Sequence, residues 1–171
     1  LEERAKLQPD PRWTEYINQI EADEEKPSRP PGDLPLLNGN ERLNRWIKTN
    51  IRDQRQKGYV CATVALPLGD ITAAQLRSLA DIVRKYTNGT IRTTVEQNFV
   101  IRWISKADVT ALFADLEKVG LGQAGAGNIL DIVACPGTDT CKLGISSSRG
   151  LASELRRRLQ EKSFQLDEAI Q

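Results

Sequence analysis

GYVCATVALPLGDITAAQLRSLADIV, residues 58–83, decides the fold. Its first part, Tyr59–Leu66, is a run of β-branched and small apolar residues bounded by Gly58 and the Pro67-Leu68-Gly69 turn, which predicts a strand buried on both faces. Thr72 then stands as the N-cap of a helix with Gln75 as its capping-box partner, and Leu76, Leu79, Ala80 and Val83 form the inward stripe. Asn88-Gly89 closes that helix. Two further β-rich runs, Thr90–Val95 and Phe99–Ile104, are separated by Glu96-Gln97-Asn98, which is hairpin spacing. Ser105 reads as the cap of the next helix with Asp108 at its third position, and Val109, Leu112, Phe113 and Leu116 face inward until Gly120 stops it. The glycine-rich stretch LGQAGAG, residues 121–127, leads into Ile129–Ala134, a last apolar strand.

The order strand, helix, strand, strand, helix, strand is the split βαβ pattern of a ferredoxin-like α+β sandwich. Upstream, Leu43, Trp46, Ile47 and Ile51 mark one apolar face of a helix over residues 40–56, ended by Gly58. KPSRPPGDLP, residues 26–35, carries four prolines and reads as an extended linker or wrapping arm. A short amphipathic helix is expected around Trp13–Ala22. Downstream, RGLASELRRRLQEK, residues 149–162, is a basic helix beginning near Ser147 or Ser148, whose narrow stripe of Leu151, Leu155 and Leu159 needs a partner surface. The chain thus divides into an arm, Pro-rich linker and helix (1–57), a ferredoxin-like half-domain (58–122) and the start of another domain (123–171).

Composition removes several function classes. Among 171 residues, 24 Lys and Arg nearly balance 23 Asp and Glu, so no overall field argues for nucleic acid or an anionic membrane. No stretch approaches the roughly 18–20 apolar residues that span a bilayer, nor does the start resemble a signal peptide, so a cytoplasmic location is expected. The chain holds no His, which excludes imidazole bases and His-ligated metals within it. It also lacks Met and begins at Leu1, which suggests a piece of something longer.

The chemistry concentrates in Asp131–Ser148, DIVACPGTDTCKLGISSS, of which ACPGTDTCKLGISSS is the most distinctive part. Cys135 and Cys141 stand five residues apart after an apolar run, with Pro136 and Gly137 shaping the loop between, so two soft thiolates could converge on iron–sulfur, zinc or copper(I). Two thiols make half of a four-ligand site, and the alternative is a pair of inert buried cysteines. Cys61, within an apolar strand, reads as a small core residue.

That segment resembles the first cysteine pair, C-x5-C, of the ferredoxin-dependent nitrite and sulfite reductases. The preceding GYVCATVALPLGDITAAQLRSLADIV and IRTTVEQNFVIRWI are similar to the ferredoxin-like half-domain that these enzymes carry before each haem-binding domain. The resemblance spans Arg42–Leu159 and implies the beginning of the family's C-terminal half. Sirohaem and a [4Fe–4S] cluster are the cofactors implied, with Cys135 and Cys141 as two cluster ligands and residues 123–171 as the truncated start of the sirohaem and cluster domain. The second pair, C-x3-C, is absent, because no Cys follows Cys141 before Gln171. Glu96 stands where the first repeat would carry an anion-binding arginine, which also points to the second repeat.

Further site residues are implied. Thr93, Thr94, Gln97 and Asn98 lie at the hairpin turn, which faces the macrocycle in this family and could hydrogen-bond its carboxylates; Gln97 and Asn98 read equally as good turn residues. Lys142 and Arg149 flank the cysteine loop and could offset cofactor charge, or simply be solvated. Ser146–Ser148 offer hydroxyls at a helix N-terminus, explained as well by capping. The implied function is part of a multi-electron reductase converting nitrite to ammonia or sulfite to sulfide. Its partners would be the remainder of the reductase and ferredoxin or a similar donor, and the 171 residues alone are expected to be inactive. The competing reading is a non-catalytic ferredoxin-like binding or assembly module. A two-cysteine metal carrier, reaching four ligands as a dimer, is a third.

Overall fold

The computed structural model describes residues 26–35 and 39–162, together with Pro11, Arg12 and Glu15. The helix expected around Trp13–Ala22 falls almost wholly outside the described residues. The rest is an α+β fold: a four-stranded antiparallel sheet with helices on one face, the ferredoxin-like half-domain that the sequence predicts.

Helix α1, Glu41–Asn50, is capped by Asn40, whose side chain accepts from the Leu43 amide at 3.1 Å. It stops earlier than expected, because Ile51–Asp53 forms strand β1. Apolar spacing could not separate the two outcomes: Ile51 is buried whether it ends a helix or starts a strand. Strand β2, Tyr59–Val64, follows a tight turn. Val60, Ala62 and Val64 are buried while Cys61 and Thr63 are half-covered, so only one face of β2 meets the core. Cys61 therefore sits on the sheet's other face, not in the core. Helix α2, Ala73–Tyr86, keeps the expected capping box between Thr72 and Gln75, but its buried stripe is Leu79, Ile82, Val83 and Tyr86, with Leu76 exposed. The buried stripe is thus displaced about one turn toward the C-terminal end of α2, sharing Leu79 and Val83 with the expected one.

Strand β3 is only Arg92–Thr93, and the turn at 94–98 returns the chain into β4, Phe99–Ser105. A bulge between β2 and β4 lets Trp103 adopt φ +62, its amide satisfied by Gln54 Oε1 at 2.6 Å. Ser105 does not cap the next helix. A 3₁₀ turn, Lys106–Asp108, intervenes before α3, Val109–Lys118, and the Asp108 carboxylate pairs with Arg29 at 2.7 Å. Val109, Leu112, Phe113 and Leu116 are buried as expected, and Phe113 meets Trp46 with ring centroids 5.2 Å apart. Helix α4, Ser148–Lys162, completes the described elements.

The sheet order is β1-β2-β4-β3. A split βαβ unit places its last strand beside its first, and here that place next to β2 is taken by β1. Ile129–Ala134 is accordingly not a strand. Turns at 125–131 carry it away from the sheet, and Val133 is exposed.

The Pro-rich segment does wrap. Arg29 lies over the Tyr86 ring at 5.3 Å, its carbonyl accepts from Tyr59 Oη at 2.8 Å, and the Gly32 amide reaches Gly58 O at 3.3 Å. On the far side of Tyr86, Asp115 accepts from Lys85 Nζ at 2.5 Å, from Lys118 Nζ at 3.0 Å and from Tyr86 Oη at 2.8 Å. Lys85 first, then Lys118 and Tyr86, hold the Asp115 carboxyl well below the usual carboxylate range.

Asn50 is a buried junction. Its Nδ2 donates to Thr63 O at 2.8 Å and Gln123 O at 3.0 Å, while its Oδ1 accepts from the amides of Gly125 at 3.1 Å and Ala126 at 3.4 Å. The end of α1, strand β2 and the glycine-rich stretch are thus joined through one side chain.

Two outcomes are expected. Asn50→Asp keeps the shape but opposes a carboxylate to two carbonyl oxygens, and should lower the unfolding free energy by about 2–4 kcal/mol in urea titration. Asp115 is depressed in the folded state, so its stabilisation is present above the unfolded carboxylate value of about 3.9 and fades as pH falls below it. The stability gap between wild type and Asp115→Asn should therefore be constant from pH 7 to about 5 and close under acid.

Candidate functional site

The cysteine loop has no ladder to shape it, so side chains and glycines do. Cys135 and Cys141 are both exposed free thiols. Between them Gly137–Asp139 forms one 3₁₀ turn, closed by Cys141 N to Gly137 O at 3.0 Å, and Thr138 N reaches Ser146 O at 3.1 Å across the loop mouth. Gly137 has φ +53, and a Cβ there would lie 2.6 Å from Ser146 O; a Cβ on Gly144 would lie 2.7 Å from the Gly137 carbonyl carbon. These two glycines let the loop fold back on its own backbone.

Ser148, the first residue of α4, sits 3.1 Å from Cys135 Sγ. Its hydroxyl, followed by the Gly137 amide, holds the Cys135 thiol below its ordinary value. Of the Ser146–Ser148 triplet, Ser148 is the one that touches a thiol. Two exposed thiols, one of them biased toward thiolate, suit a soft metal, and they provide half of a four-ligand set. Among the described residues no group of three or more His, Cys, Asp or Glu is arranged to hold a metal ion.

Arg149 does not stand open beside the loop. Its guanidinium pairs with Asp70 and with Asp139, the latter at 3.3 Å, and donates to Leu68 O at 3.3 Å. Lys142 is exposed, between Cys141 and the almost fully exposed Leu143 (89%) and Ile145 (99%).

The hairpin residues separate into two groups. Thr93 and Gln97 are exposed and Thr94 is half-buried. Asn98 is 2% exposed, its Oδ1 accepting from Leu66 N at 2.7 Å and its Nδ2 donating to Asp131 Oδ2 at 2.7 Å. Beside it, on the sheet face away from the helices, Arg52, Thr63, Thr94, Glu96 and Asp131 border a recess of about 220 Å³. That is smaller than cavities enclosing a whole ligand, which run from roughly 300 to 1,000 Å³.

Sequence reasoning passed over Asp131, Asn50, Asp70 and Asp139. For Asp131 a signal exists: a lone carboxylate inside ILDIVA has to be hydrogen-bonded or exposed. The other three are recognisable only once the loop is folded against the half-domain.

Ser148→Ala removes the hydroxyl that lies 3.1 Å from Cys135 Sγ. The thiol should titrate higher, and its alkylation at neutral pH should slow relative to that of Cys141, measured by mass spectrometry across a pH series. Unchanged alkylation would show that the hydroxyl does not bias Cys135.

Comparison with known proteins agrees with this geometry. Residues 52–119 match the nitrite/sulfite reductase ferredoxin-like half domain. The chain is 34% identical over 119 residues to the chloroplastic ferredoxin–nitrite reductase of Arabidopsis thaliana, covering 68% of this chain and 19% of that protein. It is 32% identical over 122 residues to the ferredoxin sulfite reductase of Mycobacterium tuberculosis, covering 68% of this chain and 22% of that protein. The solved structure of the Mycobacterium tuberculosis NirA protein superposes with a TM-score of 0.55 at 25% identity, over 81% of this chain and 24% of that one. The chain thus spans about a fifth of the length of the curated relatives it matches. Through its ferredoxin-like half domain, this chain belongs to the nitrite/sulfite reductase family.

Proposed function

We propose that this chain is the beginning of the C-terminal half of a sirohaem- and [4Fe–4S]-dependent nitrite or sulfite reductase, in which Cys135 and Cys141 supply two of the four cluster thiolates. The observation that carries this reading is the pair of exposed thiols on a glycine-closed loop, downstream of a half domain of this family. When bound, the cluster and sirohaem would relay and deliver the electrons for multi-electron reduction of nitrite to ammonia or sulfite to sulfide.

The chain's own residues hold and orient. Ser148 and the Gly137 amide favour the thiolate of Cys135. Thr94 lines the recess, and the exposed Thr93 and Gln97 stand on the same hairpin, where ligand carboxylates could be hydrogen-bonded. Lys142 supplies an exposed positive charge beside Cys141, whereas Arg149 acts from within its carboxylate pairs.

The two missing ligands and the first half of the pocket belong to the remainder of the reductase. The exposed Leu143, Ile145, Leu151 and Leu155 give that remainder an apolar surface to cover. The names of the relatives support ferredoxin, or a donor like it, as electron source. They leave both anions as substrates, since nitrite and sulfite reductases match to a similar degree. No described helix is long and apolar enough to cross a membrane, consistent with a cytoplasmic enzyme, although the plant relatives are chloroplastic.

The test is the visible spectrum of the protein purified anaerobically from its source at its natural length. Haem-like bands with a cluster contribution are expected, and Cys135→Ser and Cys141→Ser should each lose most of the acid-labile sulfide. A colourless protein at natural length would overturn the reading, as would full sulfide content in both variants.

A further inference from the structure

Between Gly120 and Ser148 the chain forms no strand, yet it carries both thiols that the proposed cluster needs. Besides the Asn50 junction to the glycine-rich stretch, three side-chain tethers bind the cysteine segment to the half-domain and its connections. Asn98 Nδ2 donates to Asp131 Oδ2 at 2.7 Å, four residues before Cys135. Gln97 Nε2 donates to Ala134 O at 3.2 Å, on the residue adjacent to Cys135. Arg149 ties Asp139, between the two cysteines, to Asp70 and Leu68 O on the β2–α2 connection.

The first tether differs from the others in starting from a buried side chain, Asn98, where Gln97 is exposed and Arg149 half-buried. The Asn98 amide has one end on Leu66 N at the exit of β2 and the other on Asp131, whose Oδ2 also receives the Gly127 amide at 2.8 Å. One carboxylate oxygen therefore fixes the end of the glycine-rich stretch and the entry to the cysteine segment, and its height above the sheet is set by a side chain at the hairpin turn. With Oδ1 on Leu66 N, Nδ2 on Asp131 and 2% exposure, Asn98 is engaged with the fold at both ends of its amide.

We infer that Asn98 is a positioning residue: through Asp131 it sets where the Cys135–Cys141 loop stands on the half-domain, with Gln97 and Arg149 holding the same loop further along. Only the naming of the two thiols as ligands rests on the proposed function. The tether is measurable without any cofactor, so its failure and the failure of the reductase reading are separate results.

The requirement is directional. A carboxylate at position 98 would still accept from Leu66 N, but it would lose the donor and stand against Asp131. Exchanging the two residues, Asn98→Asp with Asp131→Asn, restores one donor facing one carboxylate, while the Gly127 amide, which shares Oδ2 with Asn98, loses its acceptor. The experiment is hydrogen exchange by mass spectrometry on the 171-residue chain. In Asn98→Asp, amides in 127–144 should exchange roughly tenfold or more faster, a change equivalent to about 1.4 kcal/mol, with those of α2 unchanged. The exchanged pair should return the amides of 132–144 toward wild type, which a general loss of packing at Asn98 would not allow. Should Asn98→Asp fail to fold, Asp131→Ala, at a half-buried position outside the core, is expected to give the same local acceleration. Exchange in 127–144 that stays at the wild-type rate or rises in step with α2, or exchange in 132–144 that is not rescued by the swap, would overturn the inference.

Discussion

A backbone that leaves the sheet must still satisfy its amides and carbonyls, and that constraint governs everything after Gly120 in this chain. Because β1 holds the edge beside β2, residues 129–134 have no ladder to join. Side chains meet the polar groups of the stretch instead: Asn50 those of Gln123, Gly125 and Ala126, Asp131 that of Gly127, Arg156 the Leu130 carbonyl and Gln97 the Ala134 carbonyl. Asn128 turns the backbone between them, its Oδ1 accepting from Leu130 N at 2.9 Å. The glycine-rich stretch and the cysteine loop are thus built on a scaffold that a few amides and carboxylates hold in place. Such a loop is well defined without being stiffened by its own hydrogen-bonded pattern, a common arrangement for segments that carry function on a rigid scaffold.

The core of the half-domain was legible in the sequence because local signals and burial agreed there. Thr72 with Gln75, the 109–116 stripe, the hairpin around Glu96-Gln97-Asn98 and the basic helix after Ser147 all follow from capping, periodicity and turn chemistry. Two readings failed for one shared reason. Ile51 and the run Ile129–Ala134 are both compatible with a strand, and a single edge of β2 is available to take one. Sequence pattern measures the tendency of each segment separately; competition for an edge is a property of the whole sheet.

The site was legible in part, and the division is again physical. Cys135 and Cys141 announced themselves through residue type and spacing. The roles of Asn98 and Arg149 did not, since a polar residue at a turn or a basic residue beside a thiol looks the same whether it faces solvent, ligand or backbone. Burial decides it. Asn98 is enclosed with both ends engaged, and Arg149 lies between two carboxylates, whereas Thr93, Gln97 and Lys142 remain exposed.

The distribution of apolar surface completes the picture of a half-built site. In the half-domain the large apolar residues converge on one cluster around Trp46, Leu79, Ile101, Leu112 and Leu116. Around the thiols the pattern inverts, with Leu143 and Ile145 exposed next to Cys141 and Leu151 and Leu155 exposed one and two turns into α4, while the same helix buries Ala152. A lone exposed leucine needs no explanation, but four within 13 residues of one another, beside the two thiols that the proposed function makes cluster ligands, fit a single covering surface better than scattered exposure. Desolvation and ligand completion would then be coupled. The element that covers these side chains would also exclude water from the thiolates, lowering the local dielectric in which any bound cluster holds its charge. In that arrangement the tethers to the half-domain fix one side of the cofactor site before the other side arrives.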